Sequence, residues 1–223
     1  MSKLSSNLAY AIGLITTDGC LYSDRRHISL VSADKQLIET FNRCLGKTNR
    51  ITLNPRSSLS KNDAYRVQIG DVSLYRWLTK IGLSPNKSLN LGPIKVPDKY
   101  FADFLRGHLD GDGSIVKYED RYLQHLNPKY IYQRLFVYFI SASKRHLIWL
   151  RESITRLTNL SGSLNKKMSK TQKGKHQLYV LKFSTKEAKK LLNWIYYKPH
   201  LPCLKRKYLI AKEFLVYSIL WNT

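Results

Sequence analysis

Two Asp-Gly pairs carry the clearest chemical pattern in the chain, Asp18-Gly19 and Asp112-Gly113, 94 positions apart. Gly13 recurs at the same interval as Gly107, so a glycine, an aspartate and a second glycine repeat in register. Each aspartate closes a segment that reads as a helix. The faces formed by positions four apart are small, Ala9, Gly13 and Thr17 in one copy and Asp103, Gly107 and Gly111 in the other. A glycine inside a helix costs about 1 kcal/mol relative to alanine, so two at matching positions call for a reason, and close approach of two helix backbones supplies one. That approach brings Asp18 and Asp112 together at two partially negative helix C-termini, an unfavourable arrangement unless a cation lies between them. Hard oxygen donors with no neighbouring His or Cys favour Mg²⁺, with Ca²⁺ or Mn²⁺ as substitutes.

The elements that must position these acids repeat as well. Residues 7–17 read as a helix that Asn7 can cap, 21–32 and 51–69 as strand material broken by polar turns, and 35–45 and 72–81 as helices. Pro85, Pro93 and Pro97 mark a connector. The order then recurs: helix 100–111, strands 114–118 and 133–141, helix 144–157, strands 164–167 and 177–183, and helix 185–196. Ser32-Ala33-Asp34-Lys35 is echoed by Ser141-Ala142-Ser143-Lys144 after a longer hairpin in the second copy. The expected fold is α+β, two pseudo-symmetric αββαββα halves. Residues 1–84 form the first half, 85–98 the connector and 99–223 the second half. The period is too long for a solenoid.

Composition says what the scaffold meets. The 223 residues carry 38 Lys and Arg against 15 Asp and Glu, a formal net charge of +23. Such self-repulsion points to a polyanionic partner. With 43% hydrophobic residues there is ample core, which excludes a disordered basic tail. Up to Asp110 there are 16 basic and 9 acidic residues, and afterwards 22 and 6, so both halves are basic. Lys166, Lys167, Lys170, Lys173 and Lys175 fall in 161–177, which reads as a Gly/Ser/Asn/Lys-rich loop, either a solvated hairpin tip or a phosphate contact. No apolar run reaches the roughly 18 residues of a membrane span, and the N-terminus lacks a signal-peptide form. Cys20, Cys44 and Cys203 fit neither a disulfide framework nor a zinc site and suggest a reducing compartment, a bacterial or archaeal cytoplasm or an organelle matrix.

Ala11-Ile12-Gly13-Leu14-Ile15-Thr16-Thr17-Asp18-Gly19 and Leu105-Arg106-Gly107-His108-Leu109-Asp110-Gly111-Asp112-Gly113 resemble the two motifs of single-chain LAGLIDADG homing endonucleases. The resemblance implies antiparallel sheets forming a DNA-binding saddle around paired motif helices. It implies metal binding by Asp18 and Asp112, with the carbonyls of Thr17 and Gly111 as further ligands. The implied activity is that of an intron-encoded monomer that hydrolyses one phosphodiester per strand of a long, asymmetric duplex target, leaving short 3′ overhangs. Basic residues near each site would be Lys87 and either Lys207 or Lys205. Thr16 stands where the motif has its first acid, a position Asp110 keeps in the second copy. His108 reads either as a general base or as a packed histidine. The rival functions on this scaffold are an RNA maturase assisting intron splicing and a DNA-binding regulator that does not cut.

Strand alternation assigns DNA-facing side chains. In Tyr65-Arg66-Val67-Gln68-Ile69, inward Val67 and Ile69 leave Arg66 and Gln68 outward, suited to guanine and adenine. Arg26, Asn54 and Arg56 in the first half and Gln133, Asn165, Lys167 and Lys182 in the second are further contacts. Tyr22 and Tyr118 are suited to packing on bases or sugars.

Overall fold

The computed structural model describes residues 4–54, 63–171 and 174–216. Helix α1 (Ser6–Thr17) is followed by strands β1 (Gly19–Leu21) and β2 (His27–Ser32), helix α2 (Lys35–Cys44), strands β3 (Ile51–Asn54) and β4 (Ala64–Gly70), and helix α3 (Val72–Lys80). The second run repeats that order with helix α4 (Phe101–Asp110), strands β5 (Ser114–Asp120) and β6 (Tyr132–Ser141), helix α5 (Lys144–Thr158), strands β7 (Ser163–Thr171) and β8 (Gly174–Ser184), and helix α6 (Thr185–Ile195). A further helix, α7 (Lys205–Lys212), closes the described chain.

Each run builds one four-stranded antiparallel sheet with the same strand order, β1-β2-β4-β3 in the first and β5-β6-β8-β7 in the second. The fold is therefore mixed α+β with a repeated αββαββα unit, as the two motifs imply. The alternation in β4 holds: Val67 and Ile69 are buried while Gln68 is exposed.

Helix α1 is buried from Ala9 to Thr16 on every side, because α4 covers one face and the first sheet another. Its contact with α4 explains the repeated glycines. A Cβ on Gly13 would run into the carbonyl of Phe104 and lie 2.6 Å from the His108 amide. A Cβ on Gly107 would lie 2.9 Å from the carbonyl carbon of Tyr10 and overlap its oxygen. No side chain fits at either position.

Three expectations are corrected. The cap of α1 is Ser5, whose hydroxyl accepts from the Leu8 amide at 3.2 Å, so Asn7 lies inside the first turn. Residues 161–177 are largely strand: β7 and β8 pair from Ser163↔Lys182 to Thr171↔Gly174, placing Lys166 and Lys167 in a ladder. Lys173 lies outside the described residues. Helix α7 was not expected, because Leu204–Lys212 has too few apolar positions at helical spacing to stand out among its basic residues.

Candidate nuclease site

The helix α4 carries polar residues that a buried helix avoids unless each is partnered. Arg106, fully buried, donates to the carbonyls of Ile195 (2.7 Å) and Pro202 (2.8 Å) and pairs with Asp103 at 2.6 Å. Asp110 accepts from the Tyr10 hydroxyl at 2.8 Å and the Leu204 amide at 2.7 Å. These contacts tie the segment between α6 and α7 to the motif helix. They also place Lys207 at the C-terminal end of α4.

There the Lys207 ammonium donates to four carbonyls, those of Leu109 (2.7 Å), Asp110 (2.8 Å), Gly111 (3.1 Å) and Gly113 (2.7 Å). Three N–H groups are shared among four acceptors. The carbonyls of Leu109, Asp110 and Gly111 belong to the turn that a helix C-terminus leaves without partners. In the first half the Lys87 ammonium donates to the carbonyl of Gly19. Gly19 and Gly113 are counterparts in the repeat, so the two lysines hold the same point in each half, the carbonyl directly after the motif acid. Both lysines are buried, and burial pulls both pKa values down, that of Lys207 to about 8, while neighbouring carboxylates push back. Lys205 is exposed, and its amide donates to Gln36; the structure brings Lys207 rather than Lys205 to the acids.

Of the acids themselves, Asp18 is half-buried and Asp112 reaches the surface. Asp18 lies against the second half, its Oδ2 3.2 Å from where a Cβ on Gly111 would stand. The same Cβ would strike the Thr17 hydroxyl, so Thr17, Asp18, Gly111 and Asp112 form one junction. Burial raises the Asp18 pKa to about 6, reinforced by the Asp112 charge and opposed by Lys207 and Lys87. Burial raises that of Asp112 as well, against the pull of Lys87 and Lys207. A cleft of about 380 Å³ opens here, lined by Thr16, Thr17, Lys87 and Asp112 and, from the second sheet, by Ile140 and Leu178.

Two carboxylates that meet where the two motif helices end are a hard-oxygen donor set that suits Mg²⁺ or Mn²⁺. Among the described residues no group of three or more His, Cys, Asp and Glu gathers to enclose a metal. A cation held by Asp18 and Asp112 would thus keep most of its coordination open to water and phosphate.

His108 is buried and stacks on His146, their rings 5.2 Å apart and 13° from parallel. Nδ1 of His146 faces the Gly92 carbonyl at 2.9 Å, and the two Nε2 atoms are 3.0 Å apart. Burial holds the pKa of both rings low, that of His146 at about 4. His108 is a packed histidine. Thr16 turns its hydroxyl back onto the Ile12 carbonyl at 2.7 Å.

The residues assigned to DNA lie on the outward sheet faces and their edges, with one correction: Gln133 shares the register of buried Leu135 and Val137, so it falls on the side of β6 opposite Phe136, past the end of the core. Arg66 donates to the Tyr22 hydroxyl and to the Gln68 side chain (2.7 Å), and its guanidinium stacks over the Tyr22 ring at 5.9 Å. Arg26 is exposed in the turn between β1 and β2. Asn54 ends β3, and Arg56 lies outside the described residues. In the second half Gln133 donates to Glu119 at 3.0 Å, Asn165 donates to the Ser163 hydroxyl at 3.3 Å, and Lys167 is exposed. Tyr118 stacks on Phe136, their centroids 5.9 Å apart, and Lys182 sits over the same ring at 4.2 Å. Phe136, Tyr138 and Ile140 share this outward face and escaped the sequence reading. In Leu135–Ile140 both alternating sets are apolar, so no polar set marks the solvent side.

Residues 5–82 match the LAGLIDADG-like domain family. No curated protein sequence matches the chain. The homing endonuclease I-WcaI bound to its DNA recognition sequence is similar with a TM-score of 0.57 at 14% identity, over 95% of this chain and 88% of that one. I-DmoI in complex with DNA and Mn gives 0.50 at 17%, over 88% and 98%. Full-length DUF199/WhiA from Thermatoga maritima gives 0.53 at 16%, over 100% and 67%. At these identities the likeness is one of fold. Over residues 5–82 the chain is similar to the LAGLIDADG-like domain family, and the whole chain has the two-half fold of these LAGLIDADG homing endonucleases.

Proposed function

We propose that this chain, with its two motif helices in the LAGLIDADG arrangement, is a divalent-metal-dependent, sequence-specific double-strand DNA endonuclease that acts as a monomer. The observation that carries the reading is the junction of Asp18 with Gly111 and Asp112, flanked by Lys87 and Lys207. Bringing two carboxylates to the C-terminal ends of two packed helices, with the Asp18 pKa raised by burial and by the Asp112 charge, destabilises the folded chain, a cost with no return in a scaffold that only binds. This favours cleavage over the regulator and the maturase.

Asp18 and Asp112 would hold the cation, with the Thr17 carbonyl and the Gly111 carbonyl, which also accepts from Lys207, as further ligands. A divalent cation bound here supplies a more acidic water and neutralises charge on the scissile phosphate. Hydrolysis joins the water oxygen to phosphorus and breaks the bond to the 3′ oxygen, leaving a 5′-phosphate and a 3′-hydroxyl. Lys87 and Lys207 fix the turns that aim the acids, and their charge offsets the phosphate's. Basic side chains on both sheets contact phosphates, and Arg66 and Gln68 read bases in the major groove. I-DmoI with DNA and Mn supports the metal and the duplex, and Mg²⁺ is the cation proposed here. The test is cleavage of a randomised duplex library with Mg²⁺. Recovery of cut sites with defined sequence supports the reading, and their absence at all protein concentrations ends it.

A further inference from the structure

The two sheets present chemically different faces to the partner. On the first, Gln68 and Thr52 are exposed and Arg66 is half-buried beside Val31, a mainly hydrogen-bonding surface. On the second, Val116 pairs with Phe136 and Ile140 with Val180, with Tyr118 and Tyr138 beside them. Val116 is 40% and Tyr118 48% exposed. The face is continuous with the cleft, because Ile140 lines it together with Asp112 and Lys87. A duplex that reaches Asp112 therefore lies over this apolar face.

We propose, on the reading that this protein binds duplex DNA, that the second sheet recognises thymine C5-methyl groups in the major groove of its half-site. A thymine methyl is the one apolar feature of that groove, and contact with apolar side chains is how it is read. Charge complementarity favours a nucleic acid, since the residues after Asp110 include 22 basic and 6 acidic ones. Ring geometry favours the duplex over splayed single-stranded bases. Strand β6 lies between β5 and β8, and Phe136 is stacked by Tyr118 from β5 and capped by the Lys182 ammonium from β8. With both sides engaged, Phe136 offers its edge, which fits a methyl group rather than a stacked base.

The experiment uses the full chain and a duplex recovered from the library selection. Each thymine of the half-site protected by the second sheet is replaced by deoxyuridine, which removes only the methyl. Binding is expected to weaken about fourfold per methyl, the scale of one buried CH₂ group. The same replacement in the other half-site should change binding less than twofold. Specific binding with no response to deoxyuridine in the second half-site overturns the inference and leaves the nuclease reading standing. Failure to bind any duplex specifically, or tighter binding of single-stranded RNA, overturns both.

Discussion

Gly107 stands against Gly13 with no room between their backbones: a Cβ on Gly107 would lie 3.2 Å from the Gly13 Cα and overlap the Tyr10 carbonyl. The two acids owe their meeting to this contact. Replacing Gly107 with alanine must push α1 and α4 apart, and overpacking of this kind costs about 1–3 kcal/mol or more. The expected result is a loss of about 3 kcal/mol in chemical unfolding, with cleavage falling further than stability because the acids separate. Gly70→Ala is the control. Its Cβ meets the His27 side chain at 3.3 Å, and its loss should stay below about 1 kcal/mol.

The raised pKa of Asp18 makes a prediction whose sign can be worked out. Below the ordinary value of 3.8 the carboxyl is neutral in folded and unfolded chains alike. Between 3.8 and about 6 the unfolded carboxyl ionises while the folded one, held back by burial and Asp112, keeps its proton, so stability falls across that window and the loss is complete above about 6. Without metal, Asp18→Asn should therefore be more stable than the parent by about 2 kcal/mol at pH 7.5, with the gap closing towards pH 4. Urea unfolding at a series of pH values measures it. Added Mg²⁺ should stabilise the parent and leave the variant unmoved.

Lys207→Met removes a charge that serves four carbonyls, whereas Lys205 is exposed. Leaving buried carbonyls unpaired should cost about 3 kcal/mol. Cleavage by Lys207→Met should fall at least about a hundredfold, the scale of losing an electrostatic partner. Lys205→Ala should stay within about twofold, as an exposed side chain does. Single-turnover rates at saturating DNA separate chemistry from binding.

Arg66 is held in place by Tyr22 and Gln68, the preorganisation expected of a base-reading group. Arg66→Ala should relax discrimination at one base pair by about 1–3 kcal/mol while leaving other positions unchanged. Lys167→Ala should instead weaken all duplexes alike and reduce the salt slope by about one. Binding to a set of singly substituted duplexes at several salt concentrations tells the two apart.

How much of this was legible in the sequence follows from the physics of each element. The repeat, the glycine contact and the acids were readable because local spacing encodes them. Strand β4 was readable because its outward set is polar and its inward set apolar. Strand β6 was readable as a strand but its outward face was not, since Phe136, Tyr138 and Ile140 face outward with no polar mark. The choice of Lys207 over Lys205 needed the polar anchors of Arg106 and Asp110 on the chain before α7, contacts across about ninety residues that no local pattern shows. The cap at Ser5 rather than Asn7 turned on one hydroxyl contact.

The most direct test of the central claim is cleavage of a selected duplex by the parent protein and by the double variant Asp18→Asn with Asp112→Asn. The account predicts a double-strand cut by the parent with Mg²⁺, none with EDTA, and none by the double variant, which still binds the same site. Cutting by the double variant at the parent rate, or by the parent in EDTA, would contradict it.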